Sequence, residues 1–444
     1  MPIHSARRSP ERVQVFAALR RKKPARALKR MRYPPRMSES LSITLGEYAA
    51  RRTKLLKQLK DCVGLVFAGD ADASIHGEFR AHANFEYLTG ITNEAGAILL
   101  LDPQNPIEDR RVLLFLKPLN PELEKWDGFR MEISSALKAQ YGIKTVMRTT
   151  AFARFLLEAT KRSKRFALLH SLAPHTAPVS PDLDVFRKCA ERIPGASIVD
   201  QSQLLAVMRA AKSKAEIALM QRAADVTAAG YSAVLKQLKP GMTEFDVQEV
   251  IEHGYRSNGS RRAAYHTIAG GGFNATVLHY HGNRAPLASG DLILIDSGAD
   301  FNGYACDVTR TFPVNGKFTK RQREIYSIVL DAQLAAIAAT KAGVTFASID
   351  KAARDVITKA GYADAFFHGT GHHLGLEVHD ITPDGVIPEN AVVTIEPGIY
   401  LPSENFGVRI EDDILVTKKS GGTNLTAAIP KSIDAIERAM FGRS

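Results

Sequence analysis

Cysteine is scarce in this chain of 444 residues: Cys62, Cys189 and Cys306 are too few and too far apart for a disulfide framework. Strand alternation turns Cys306 away from its neighbour Asp307, so it reads as a small buried hydrophobe. Apolar runs of membrane-spanning length are missing, and no signal-peptide core follows the basic N-terminus. A reducing compartment with no membrane partner is expected. The location would be cytoplasmic, or mitochondrial if the first residues are a transit peptide. Excess charge is missing too, once it is mapped. Residues 1–36 hold twelve Lys and Arg against one acid, Glu11, and so carry +11 of the formal +12. The rest of the chain is close to neutral, and no nucleic-acid partner is expected.

The basic leader, with its run from Arg20 to Lys23 and Pro10, Pro24, Pro34 and Pro35, has too few apolar residues to join a core and is read as disordered. Met37 is the expected initiator, because MSESLSITLGEYAARR opens like a capped helix. A transit peptide and a nucleic-acid-binding arm are the alternatives for residues 1–36.

The remaining length suits two domains. Residues 37–207 read as α/β: GLVFAG (64–69), AGAILLLD (95–102) and RRVLLFLK (110–117) are short apolar runs bounded by turn residues, as buried strands are. The Ala-rich, charged stretch from Arg209 to Lys214 is expected to be a hinge. Residues 208–444 open on a capping box, Ser213 with Glu216, and a second helix is capped by Thr243 with Asp246. The pattern Lys239, Gly241, Thr243, Val247, Gly259 recurs 102 residues later as Lys341, Gly343, Thr345, Ile349, Gly361. Such a repeat predicts an α+β fold of two similar halves about a pseudo-twofold axis, with a site between them.

Within the first copy, LILIDSGADFNGYACDVTRTFP (292–313) reads as a β-hairpin turning at Asn302-Gly303, which supply positive φ. A two-residue turn there sets Asp296 and Asp307 on one face, opposite or diagonal to each other. Like charges so placed repel and lose hydration, which a shared proton or a cation offsets. The second copy supplies HGTGHHLGLEVHD from His368 to Asp380, then Glu396 at the end of an apolar strand before Pro397-Gly398. In GVRIED, Arg409 and Glu411 share a strand face, so that the guanidinium can orient the carboxylate. Singly, each residue has a plain structural explanation, and His373 and His281 are assigned to packing. Together, Asp296, Asp307, His372, Glu396 and Glu411 make an oxygen-rich set with one imidazole. That set suits two hard or borderline divalent ions, manganese first, with cobalt or zinc as alternatives. Two such ions can hold a bridging hydroxide and polarise a carbonyl, so the reaction class is hydrolysis.

These stretches, with QREIY, TIEPGIY and GVRIEDD, resemble the pita-bread metallopeptidases (family M24) over roughly residues 213–417. The likeness is greatest to the proline-specific branch, its aminopeptidase P members first and prolidases next. NFEYLTGITNEAGAILLL resembles the N-terminal α/β domain of that branch more weakly. The resemblance implies that Asp296 and Asp307 chelate one metal, that Asp307 and Glu411 bridge both, and that His372 and Glu396 complete the second. It implies that Glu396 takes the proton of the bridging water, and that His279 and His379 hydrogen-bond the substrate carbonyl and the tetrahedral intermediate. Tyr265 and His368 would line the proline pocket, Tyr400 would stand near the metals, and Arg409 would orient the acidic ligands. The implied activity is release of an N-terminal residue from a peptide with proline second, by a homodimer or homotetramer. Prolidases set an arginine between the VHD and EPG motifs for a dipeptide carboxylate. Residues 381–394, ITPDGVIPENAVVT, contain no Arg or Lys, which favours the aminopeptidase. A dipeptidase is the runner-up, and a metal-free binding module the remote alternative.

Overall fold

The computed structural model describes residues 41–70 and 79–441; the basic leader and Met37 lie outside them. A helix over Leu45–Leu59, capped by the Thr44 side chain, leads into a six-stranded mixed sheet. Its spatial order is Thr145–Arg148, Val112–Leu116, Ile98–Leu101, Val63–Phe67, Arg165–Leu168, Ser197–Asp200. The three runs read as strands from sequence are strands here. Alternation divides them between two apolar layers: Leu99, Leu101, Leu114 and Leu116 face one way, while Leu100, Leu113 and Phe115 face the other with Phe166 and Phe186. A sheet covered on both faces needs such continuous apolar runs.

The repeat is visible as two helical hairpins, Lys214–Gln237 with Glu244–Ser257 and Lys320–Ala339 with Phe346–Lys359. Both capping boxes of the first copy form, and Thr345 caps the equivalent helix of the second. Gly241 and Gly343 turn the chain with φ of +89° and +90°, values only glycine adopts freely, and their N–H groups donate to Leu287 and Ile387 carbonyls at 3.0 and 2.9 Å. Each hairpin is followed by a small antiparallel sheet. The first contains Ile268–Gly271, Leu292–Asp296 and Thr309–Pro313, and the second Val392–Ile395, Asp412–Leu415 and Thr423–Asn424. Gly398–Leu401 pairs with Phe406–Arg409 beside them. The copies are stitched together where the Glu411 N–H donates to the Thr309 carbonyl at 3.1 Å and the Arg409 N–H to Thr311 Oγ1 at 3.2 Å. This is the expected two-copy α+β architecture preceded by an α/β layer.

The 292–313 hairpin forms with Asn302 and Gly303 at φ of +49° and +92°. Its second strand is broken: Tyr304–Ala305 pairs with Asp300–Phe301, and Thr309–Pro313 pairs with Leu292–Asp296. The register nevertheless runs through, carried by Ser297 N–H to Val308 O and Cys306 N–H to Ala299 O. Thr309 is therefore opposite Asp296, and Asp307 is diagonal to it.

The expected hinge is not one. The helix Gln203–Ala210 spans residues 207 and 208, the expected domain boundary, and only Ala211–Ser213 separate it from the next helix. Arg209 and Lys212 are buried there and paired with Asp380, so the connection is anchored. Among the described residues, no helix is long and apolar enough to cross a membrane.

Candidate metal centre and active site

Strand ends from both copies deliver the acidic residues to one place. Asp296 closes Leu292–Asp296, and Glu396 follows Val392–Ile395 directly, so equivalent strands of the repeat each end in a carboxylate. Asp307 comes from the break in the hairpin, and Glu411 from the turn between Phe406–Arg409 and Asp412–Leu415. His372 lies on a segment that runs along Val392–Ile395: its N–H donates to Thr394 Oγ1 at 3.1 Å and its carbonyl accepts the Thr394 N–H at 2.9 Å. These five residues line a cavity of about 290 Å3, together with Leu278, His279, His368, His379 and Arg409.

The ligand atoms of Asp307, His372 and Glu411 all lie within 4.8 Å of one another. His372 Nδ1–H donates to the His373 carbonyl at 3.0 Å, which leaves Nε2 aimed at Asp307 and Glu396, 3.5 and 3.6 Å away. Burial opposes charge on this imidazole, but the hydrogen bond to Asp307 and the Glu396 carboxylate outweigh it and raise its pKa to about 9. The acids show the complementary strain. Burial raises Asp296 despite Arg409, with Asp307 adding to the shift. Glu396 is pushed up to about 7 by burial, with Asp307 and Asp296 adding to it against His372 and Arg409. Glu411 rises well above its ordinary value through burial and then Asp307, Glu396 and Asp296. Four carboxylates outnumber the one guanidinium, Arg409, and the one imidazole whose pKa is raised, His372, and leave a deficit of positive charge in the cavity. The residues present therefore fit hard divalent cations, through both donor chemistry and electrostatics.

Arg409 donates to Asp296 Oδ2 at 2.6 Å, to Tyr400 Oη at 2.9 Å and to Thr309 Oγ1 at 3.0 Å. Its direct acidic partner is thus Asp296 on the other copy. The expected pairing with Glu411 runs through Thr309, which donates to Glu411 Oε2 at 2.7 Å. Thr309 was not singled out from the sequence, although alternation along DVTRT sets it on the face of Asp307. The Tyr265 hydroxyl lies 2.6 Å from Asp296 Oδ1 and 2.5 Å from Asp307 Oδ1, so it holds the two acids. Only a three-dimensional fold brings it there, across 31 and 42 residues. Tyr400 is buried, with its hydroxyl donating to His368 Nε2 at 2.8 Å. His379 packs its ring edge-on to His372, centroids 4.3 Å apart. His373 is buried as expected, while His281 is exposed, with its ring against that of His266.

Fold and site together define a metallopeptidase of the pita-bread architecture. Residues 218–418 match the model of metallopeptidase family M24, and residues 48–169 that of the aminopeptidase P N-terminal domain. The chain belongs to metallopeptidase family M24. It is similar to the Xaa-Pro aminopeptidase of Haemophilus influenzae, 35% identical over 89% of this chain and 97% of that protein, and to that of Escherichia coli, 31% identical over 90% and 98%. Among solved structures, Pseudomonas aeruginosa aminopeptidase PepP aligns with a TM-score of 0.80 at 30% identity, covering 91% of this chain and 99% of that one. Escherichia coli aminopeptidase P with the inhibitor Pro-Leu aligns with a TM-score of 0.79 at 29% identity, covering 90% and 99%.

Proposed function

We propose that the chain hydrolyses the bond between an N-terminal residue and a following proline, as an Xaa-Pro aminopeptidase with two divalent cations. The observation that carries this reading is the convergence of Asp296, Asp307, His372, Glu396 and Glu411 on one cavity. Asp296 and Asp307 would hold one ion, His372 and Glu396 the other, and Asp307 and Glu411 both; manganese is the expected metal, with cobalt or zinc as alternatives. When bound, such a pair lowers the pKa of a coordinated water and polarises a carbonyl.

The protein's own groups supply the rest. Glu396 lines the cavity beside Asp307 and Glu411, where its carboxylate would accept a proton and pass it to the leaving nitrogen. His279 and His379 line the same cavity, where they can donate to a carbonyl oxygen as negative charge develops on it. In the metal-free protein, burial, with the His372 charge adding, holds His379 below its ordinary pKa. His368 lines the cavity as well, and its proposed role is to border the proline ring. Proline at the second position suits such a site, because its tertiary amide has no N–H and cannot be gripped by main-chain pairing. Residues 381–394 bring no cation for a dipeptide's carboxylate, which favours longer peptides over dipeptides. A homodimer or homotetramer in the cytoplasm completes the reading, with residues 37–207 and 208–444 as its domains.

The test is hydrolysis of a matched pair, Xaa-Pro and Xaa-Pro-Xaa, by metal-stripped protein resupplied with manganese, cobalt or zinc. Cleavage of the longer peptide is expected. Cleavage of the dipeptide alone would make the protein a prolidase, and no cleavage with any metal would bring the binding-module reading forward.

A further inference from the structure

The loop that carries two of the site histidines is tied from behind to the N-terminal half of the molecule. Residues 372–374 run along Val392–Ile395, and the chain then returns, closing with the Asp380 N–H on the His373 carbonyl at 2.9 Å. His379 projects into the cavity, while the next side chain, Asp380, is buried. One carboxylate oxygen of Asp380 accepts from Arg209 Nη2, and the other accepts from Lys212 Nζ at 2.9 Å. Lys212 is itself fixed by the Arg209 and Asn390 carbonyls, at 2.7 and 2.9 Å. Arg209 also donates to Asn84 Oδ1, on the helix Ala83–Thr89, and to Glu377 Oε2, both at 2.7 Å. The space is filled: a Cβ on Gly375 would lie 2.2 Å from Asp380 Oδ2, so the loop can fold over this ion pair only with glycine there.

An exposed ion pair would do little to fix a loop. A buried one, with Asp380 held by both Arg209 and Lys212, restricts the loop strongly, because movement leaves a charge unpaired away from water. We propose that Asp380, clamped by Arg209 and Lys212, is the positioning residue for His379, and that the segment joining the two halves, held to the N-terminal half through Asn84, thereby sets the geometry of that histidine. This rests on the reaction proposed above. It assigns a function to the two cations between the halves, whose paired burial no hinge would require.

The test is Asp380→Asn, read in two ways. In protein carrying isotopically labelled histidine and no added metal, the His379 imidazole resonances, assigned with His379→Gln, should shift or broaden while those of His279 stay in place. In the metal-loaded enzyme, kcat on an Xaa-Pro-Xaa peptide should fall about 10- to 100-fold with KM little changed. Arg209→Lys, which keeps a cation but not the fork that reaches Asn84, Glu377 and Asp380 together, should lie between wild type and Asp380→Asn on both measures. Unchanged His379 resonances in a folded variant would overturn the proposal, as would a loss carried by KM alone. If Asp380→Asn does not fold, Arg209→Lys is judged by the same two readings. A wild type that cuts no Xaa-Pro peptide would remove the reaction, and the histidine spectra would then decide the positioning claim by themselves.

Discussion

The six-stranded sheet and the paired small sheets around the cavity both have apolar cores, but the small sheets also bury a cluster of charge. In the first, Leu65, Leu100, Leu113, Phe115 and Phe166 are at or near complete burial against one another. In the second, Asp307, Arg310, Arg409, Glu411, Asp412 and Asp413 are buried just as deeply. Apolar area removed from water stabilises a fold without regard to direction, whereas buried charge costs free energy unless each group meets its complement. Arg310 shows the complement being met: fully buried, it donates to Asp412 Oδ1 at 2.6 Å and to the Thr309 carbonyl at 3.0 Å. The carboxylate of Glu411, one residue before Asp412, forms no ion pair among the described residues and is left with a raised pKa. The contrast separates Asp412, which holds the walls together, from Glu411, which lines the cavity.

That separation is broken most forcefully by Glu411→Gln. Partners of metal ligands, when removed, cost about 10- to 100-fold. On the proposed reading Glu411 would serve both ions, and its loss should cost more, so peptide hydrolysis should fall at least about 1,000-fold. Stability should move the other way. Burial and three neighbouring carboxylates raise the Glu411 pKa, so the folded state without metal is disfavoured increasingly as pH rises above the ordinary carboxylate range. The neutral amide removes that burden, and the urea midpoint of metal-free protein at pH 7 should rise. A lower midpoint would mean that Glu411 belongs with Asp412, as a structural acid.

The sheet gives the converse. Phe166 is fully buried and stacks on Phe186 with centroids 4.8 Å apart and planes 4° from parallel. Phe166→Ala should cost about 3–5 kcal/mol of stability by leaving a cavity. Turnover per folded molecule should not change, because nothing in this layer reaches the cavity. Chemical denaturation and activity normalised to folded protein check the two halves of the claim, and a fall in normalised turnover would show that the layers are not separable.

What the sequence disclosed follows the same division. Features set by neighbours along the chain were legible: the apolar strands, the capping boxes, the glycines that turn each copy of the repeat, and the Asn302-Gly303 turn that sets the two aspartates diagonally. Tyr265, Thr309 and the Arg209–Asp380 clamp were not, since each acquires its role from groups 31 to 171 residues away. Arg209 and Lys212 sit in an Ala-rich, charged stretch that has the look of solvent-exposed linker. Only a carboxylate delivered from the far side of the fold makes their burial affordable. Local periodicity reports which face is apolar; it does not report which buried charge will find a partner.

The smallest effect sharpens the comparison at its boundary, in His368. Its Nδ1–H donates to the Gly369 carbonyl at 2.8 Å, so Nε2 is left to accept from Tyr400, whose oxygen in turn accepts from Arg409. This chain requires a neutral imidazole. Burial, then the Arg409 charge, lower its pKa to about 4, with Arg354 adding to them against the Gly369 hydrogen bond. Above pH 6.5, His368 is neutral in folded and unfolded chains alike and contributes no pH dependence. Between about 6.5 and 4 the unfolded chain takes up a proton that the folded one refuses, so stability is lost as pH falls, by at most about 3 kcal/mol, and the loss levels off below about 4. His368→Gln removes this titration. Its urea midpoint should therefore fall less than that of wild type across the same window, and the difference between the two midpoints should be flat above pH 6.5. Parallel pH profiles would mean that His368 accepts its proton in the folded state, and that the path from Arg409 through Tyr400 does not fix its charge.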